Sequence, residues 1–72
     1  MKIQFASLGE VQEFVGLATL QPYAIHVQDA EHTVNAKSFM EMFTLDFSAP
    51  LDVVVSSEHE NRFALAAKKF IV

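Results

Sequence analysis

The chain has no cysteine and no tryptophan, and only two glycines and two prolines among 72 residues. Without cysteine there is no disulfide, no thiolate metal site and no thiol nucleophile. Basic residues are also few. Lys2, Lys37, Arg62, Lys68 and Lys69 make no long run against nine acidic residues, and the formal charge is −4. Nucleic-acid binding therefore lacks its electrostatic footing. No apolar run approaches the roughly 18–20 residues of a membrane span, so no membrane partner is expected. There is no internal repeat, low-complexity tract or Pro/Gly linker. Met1-Lys2-Ile3-Gln4-Phe5 is too short for a signal peptide, and the expected location is cytoplasmic, which the lack of cysteine suits.

Apolar material is plentiful. Hydrophobic residues make up 51% of the chain and seven of them are Phe, which supports a real core and argues against disorder. A chain of this length makes one domain, residues 1–72, with a small core.

Hydrophobic periodicity divides the chain into alternating elements. Lys2 to Phe5 reads as a strand, with Ile3 and Phe5 on one side. Ser7-Leu8-Gly9-Glu10 is a capping box, and Leu8, Val11, Phe14, Val15 and Ala18 form the apolar face of the helix it opens. Pro22 stops that helix. Tyr23 to Gln28 alternates, with Tyr23, Ile25 and Val27 inward. Asp29-Ala30-Glu31-His32 is a hairpin turn, and Thr33 to Ala36 the return strand. Ser38 caps a short helix from about Phe39 to Leu45, with Glu41 completing a second capping box. Leu51 to Ser56 is a fourth strand with Val53 and Val55 inward. Ser57-Glu58-His59-Glu60 is a third capping box, opening a helix from Glu58 to about Phe70. The order βαββαβα predicts an α+β open-faced sandwich: a four-stranded antiparallel sheet with three helices on one face. The other face, with Ala24, His26, Gln28, Thr33, Asn35, Asp52 and Val54, is left to solvent.

The segment Asn35-Ala36-Lys37-Ser38, followed by Phe39, Met40, Met42 and Thr44-Leu45, resembles the HPr family, the phosphocarrier proteins of the bacterial phosphoenolpyruvate-dependent sugar phosphotransferase system. The order of elements is similar too, so the resemblance reaches nearly the whole chain and is most specific from Val27 to Val55. It implies the HPr-like fold. It also implies that Ser38 matches a regulatory phosphorylation site acted on by HPr kinase, and that the helix after it is a docking surface. Family members carry phosphate on a histidine in a loop of the Gly-Leu-His-Ala-Arg-Pro-Ala type. Here that region reads Phe5-Ala6-Ser7-Leu8-Gly9-Glu10-Val11. Ser7 stands at the histidine position, Gly9 at the arginine and Glu10 at the proline, and an acidic side chain there repels phosphate. The expectation is an HPr-like interaction or regulatory domain that is not a histidine phosphocarrier and not an enzyme. Members without the histidine that keep the serine act in carbon-source regulation.

Each candidate residue has a plainer reading. Ser7 has no base or carboxylate arranged for nucleophilic catalysis, and serves as an N-cap. Ser38 is either a helix cap or a phosphorylation site, with Glu41 opposing phosphate. Phe39, Met40 and Phe43, joined by Phe47, either fill the core or form a docking patch. One face of so short a helix cannot bury every apolar residue between Phe39 and Leu45. His26 and His32, with Asp29 or Glu31, match no zinc signature, so neither metal nor cofactor is expected, and His59 lies in the first turn of the last helix. Two other functions stay open: phosphotransfer through a non-standard acceptor (His26, His32, His59 or Ser7), and an oligomerisation module. The module would pair copies through Val54 on the open sheet face and the apolar tail Phe70-Ile71-Val72, giving a monomer or weak homodimer.

Overall fold

A computed structural model describes residues 1–72. The elements follow in the order β1 Lys2–Ile3, α1 Leu8–Thr19, β2 His26–Gln28, β3 Thr33–Asn35, α2 Phe39–Met42, β4 Leu51–Val54 and α3 Ser57–Ala66, with a closing 3-10 turn at Lys68–Phe70. The strands form one antiparallel sheet in the order β1-β4-β2-β3. Its centre is the β2–β4 pair, with Val27 opposite both Val34 and Val53.

Alternation sends Ile3, Val27, Val34, Leu51 and Val53 to one side. There they join Val11, Phe14, Val15 and Ala18 of α1, Met42 of α2 and Phe63 of α3 in one buried apolar cluster. The opposite side carries two rows, polar except for the exposed Val54. Lys2, Asp52, Gln28 and Thr33 lie in register in one, and Val54, His26 and Asn35 in the other. No buried residue is polar or charged. The protein is therefore an α+β open sheet with three helices, and no helix is long and apolar enough to cross a membrane.

The helix starts illustrate how local chemistry sets the elements. Ser7 Oγ accepts from Glu10 N at 3.3 Å, which satisfies one donor of the first turn of α1, and Glu10 Oε1 accepts at 2.8 Å from Ala6 N, one residue before the cap. At the other end Thr19 Oγ1 donates to Val15 O and Gln21 Nε2 to Leu17 O. Pro22 follows, as expected.

Three expectations need correction. Leu8 is 62% exposed, not buried: it opens α1 ahead of Val11, where the buried face of the helix begins. Ser57 is the first residue of α3, not its cap. Ser56 is the N-cap and its side chain makes no capping bond. Such a bond is worth about 1 kcal/mol, less than burying Phe63 at the phase the core requires. The last helix ends at Ala66 and tightens into the 3-10 turn, which carries Phe70 into the core. The apolar tail is divided: Phe70 faces the core, while Ile71 and Val72 stay exposed alongside β1. Phe70 is buried, Ile71 bridges to Ile3, Gln4 N donates to Phe70 O and Val72 N to Lys2 O. The segment thus covers the outer edge of β1.

Candidate functional site

The turn from β3 into α2 is built by the Asn35-Ala36-Lys37-Ser38 segment. Asn35 Oδ1 accepts from Lys37 N at 2.9 Å and Asn35 O from Ser38 N at 3.0 Å. Lys37 Nζ reaches Gln21 O at 2.7 Å and fastens the turn to the end of α1. Ser38 Oγ accepts from Glu41 N at 3.2 Å. The second arm of the expected capping box goes elsewhere. Glu41 Oε1 accepts from Asn35 N at 3.2 Å, because Ser38 N is already engaged. This covers an outward N–H of β3, an edge strand whose unpaired donors would otherwise be open to strand pairing.

Beyond Ser38 the short helix turns Met42 and Leu45 into the core. By spacing, Phe39, Met40 and Phe43 compete for that inward position. The cap at Ser38 instead sets a phase that leaves Met40 84% exposed and Phe43 44% exposed, with Phe39 half-buried. The rings of Phe39 and Phe43 meet edge to face at 4.7 Å, and Phe43 meets Phe47 at 6.5 Å.

Phe47 in turn lies edge to face with Phe5 at 6.0 Å. Phe5, Ala6, Ser7, Leu8, Val11 and Phe47 line an apolar pocket of about 210 Å³. The structure therefore brings Ser7 and Phe47 to one pocket, and the ring contacts of Phe47 with Phe43 and of Phe43 with Phe39 carry the apolar surface on to α2, where Met40 is also exposed. Phe5, Leu8 and Val11 were not foreseen as parts of this face.

The amino end of α1 is partly closed by its own side chains. Glu10 places its own carboxylate on Ala6 N, and Ser7 Oγ occupies Glu10 N. The histidines are elsewhere. His26 is exposed on the open sheet face. His59 stacks on Tyr23 with ring centroids 4.2 Å apart and planes 4° from parallel. His32 Nδ1 lies 3.2 Å from Asp29 Oδ1. No three histidine or carboxylate side chains converge on one point.

Asp29 instead organises the end of the sheet. Its carboxylate accepts from Asp46 N at 2.9 Å, Glu31 N at 2.8 Å and His32 N at 2.6 Å, linking the hairpin turn to the segment after α2. Donation from the Asp46 backbone, then from that of Glu31, holds this carboxyl well below the usual carboxylate range. Asp46 is lowered too, first by the Ser48 hydroxyl and then by its backbone N–H. A larger open cavity of about 560 Å³ lies beside them, lined mainly by polar side chains.

No protein-family model matches the chain, and neither a curated protein nor a solved structure does.

Proposed function

We propose that this is an HPr-like, cytoplasmic protein-interaction domain that docks a partner protein through Phe39, Met40, Phe43 and Phe47 and does not carry phosphate on histidine. The observation that carries the reading is the exposed apolar surface of α2 continuing into the pocket at the start of α1. Exposed Met and Phe side chains grouped in this way mark interaction sites, because they lose water on docking and can repack. Two observations support it against phosphotransfer. Glu10 fills the place where an anion would be held, and no histidine lies in that loop. Ser38 is the point of regulation in this reading, since a phosphate there adds about two charges beside Phe39 and Met40.

The test has two parts. A photo-crosslinking residue is placed at Met40, and separately at Leu65, which is 77% exposed on α3. In cells that produce the protein, the Met40 position is expected to give a discrete adduct that disappears with Phe43→Asp, and Leu65 none. Equal yields from both positions overturn the docking reading. Intact mass is then measured after incubation with the two phosphorylating systems. With ATP and HPr kinase one phosphoryl group is expected, absent in Ser38→Ala; no addition leaves Ser38 a cap only. With phosphoenolpyruvate and the first enzyme of the phosphotransferase system no addition is expected, and labelling of a histidine overturns the second half of the proposal.

A further inference from the structure

We infer that Glu41 guards the one open edge of the sheet, and that two copies of this chain pair edge to edge along β3 once its carboxylate is removed. The inference is independent of the docking face proposed above.

The two edges of the sheet differ. Along β1 the chain supplies its own cover: Gln4 N donates to Phe70 O, Ile71 bridges to Ile3 and Val72 N donates to Lys2 O. Beside β3 there is no further strand. Its outward groups follow from the ladder. Ala36 N donates to Ile25 O and Asp29 N to His32 O, and hydrogen-bonded pairs alternate along antiparallel strands. Val34 is therefore hydrogen-bonded to Val27, while Thr33 and Asn35 turn their N–H and C=O groups away from β2.

At Asn35 both outward groups are taken. The C=O accepts from Ser38 N at 3.0 Å, and the N–H donates to Glu41 Oε1 at 3.2 Å. The two are not equivalent. A carbonyl oxygen has two lone pairs and can accept again, whereas an N–H has one proton to give. Glu41 thus removes the donor that an added strand needs. Its carboxylate also stands where the carbonyl of that strand would lie, and has no proton to offer it. The helix cap holds it there, since Ser38 Oγ accepts from Glu41 N at 3.2 Å.

A second β3 is the occupant that fits this edge. With a two-fold axis at Val34, Thr33 of each copy lies opposite Asn35 of the other. Each such pair exchanges both N–H···O bonds, and Asn35 N is the donor in one of them. The facing side chains are then Thr and Asn, polar and uncharged, so no like charges oppose the pairing. Val34 is already buried in its own core and needs no new partner. Asn35 itself is exposed. Without Glu41 its N–H meets water rather than a dry interior, so the fold is retained.

The test measures self-association of the full chain by sedimentation equilibrium. Glu41→Ala and Glu41→Lys both remove the acceptor and keep a good helix former, and either suffices if the other does not fold. Each is expected to self-associate at least about tenfold more tightly than the parent, because a backbone hydrogen bond is regained on each side of the axis. Glu41→Gln keeps an acceptor oxygen at the same reach and is expected to match the parent within about threefold. In Glu41→Ala the Thr33 and Asn35 amides are expected to exchange more slowly as concentration rises. Adding Thr33→Pro to that variant withdraws an outward N–H without touching the β2–β3 ladder, and is expected to return association to the parent's level.

Unchanged association in the acceptor-free variants overturns the inference. So does association of Glu41→Gln as tight as that of Glu41→Ala, since the acceptor would then not matter. Association that survives Thr33→Pro and disappears with Phe43→Asp would place the contact on α2 and overturn it as well.

Discussion

Asp29 shows how one side chain can hold two connections at once. Its carboxylate serves the β2–β3 turn and the segment after α2 together, and its lowered pKa means that folding favours the ionised form. The sign follows from linkage. The contribution is complete above the ordinary carboxylate pKa of about 4 and is lost as pH falls toward the lower value in the folded protein. Asp29→Asn, with one acceptor oxygen in place of two, is expected to lower the urea midpoint at pH 7. The difference from the parent should shrink as pH falls below about 4, where the Asp29 carboxyl of the parent's unfolded chain begins to protonate while the folded one stays ionised. A gap of the same size at both ends of the pH range would show that ionisation of Asp29 is not what matters. The sequence marked Asp29 as a turn residue but not as a link to Asp46, because that bond joins positions 17 apart and no local pattern encodes it. Burial was legible residue by residue wherever alternation applied, as at Val27, Val34 and Val53. It was not legible at Leu8, which shares the helical spacing of the buried face but precedes its first buried residue, Val11.

Element starts were the best-encoded feature. Ser7 and Ser38 cap their helices as the spacing to Glu10 and Glu41 indicates. At α3 two adjacent serines compete, and packing overrides the better local pattern. The length of α2 was overread, since its helical run is Phe39–Met42 and the chain continues through turns to Leu45. The apolar excess in that stretch did indicate a surface role, yet which residues face outward depends on the phase set at Ser38, and Met42 is the one that goes in. Within α1, Gly16 is exposed, has no positive φ, and a Cβ added there meets nothing within 4 Å. Gly16→Ala is therefore expected to stabilise the protein by about 0.5–1 kcal/mol, by restricting the unfolded chain and improving helix propensity. Thermal or urea unfolding reads this directly, and a destabilised variant would mean that the helix surface at Gly16 is not free.

Across the whole molecule the aromatic rings form one connected body. Phe5 meets Phe14 at 5.3 Å and Phe70 at 5.5 Å, Phe14 meets Phe63 at 5.8 Å, and Tyr23 lies between Phe63 and His59. Phe14, fully buried, is the hub. Phe14→Ala is expected to cost about 3–5 kcal/mol, against a total stability of about 4–11 kcal/mol for a chain of this length. Unfolding should remain a single transition with a greatly lowered midpoint, and a loss below 1 kcal/mol would show that the rings repack freely. The sheet order β1-β4-β2-β3 was not legible in the sequence, because pairing Lys2 with Asp52 depends on contacts between the ends of the chain. The fold class was legible, because periods of 2 and 3.6 leave few ways to bury both kinds of face.

Phe5 and Phe47 each have one side on the pocket and the other against the core cluster, and this divides the face in its capacity to change by mutation. Met40, Phe43 and Leu8 stand outside the core and are open to substitution with little effect on folding. The pocket walls are not, since a change there is selected through stability before it is selected through binding. Over descent, such a face should alter its choice of partner at its margins and keep the depth of its central hollow nearly fixed.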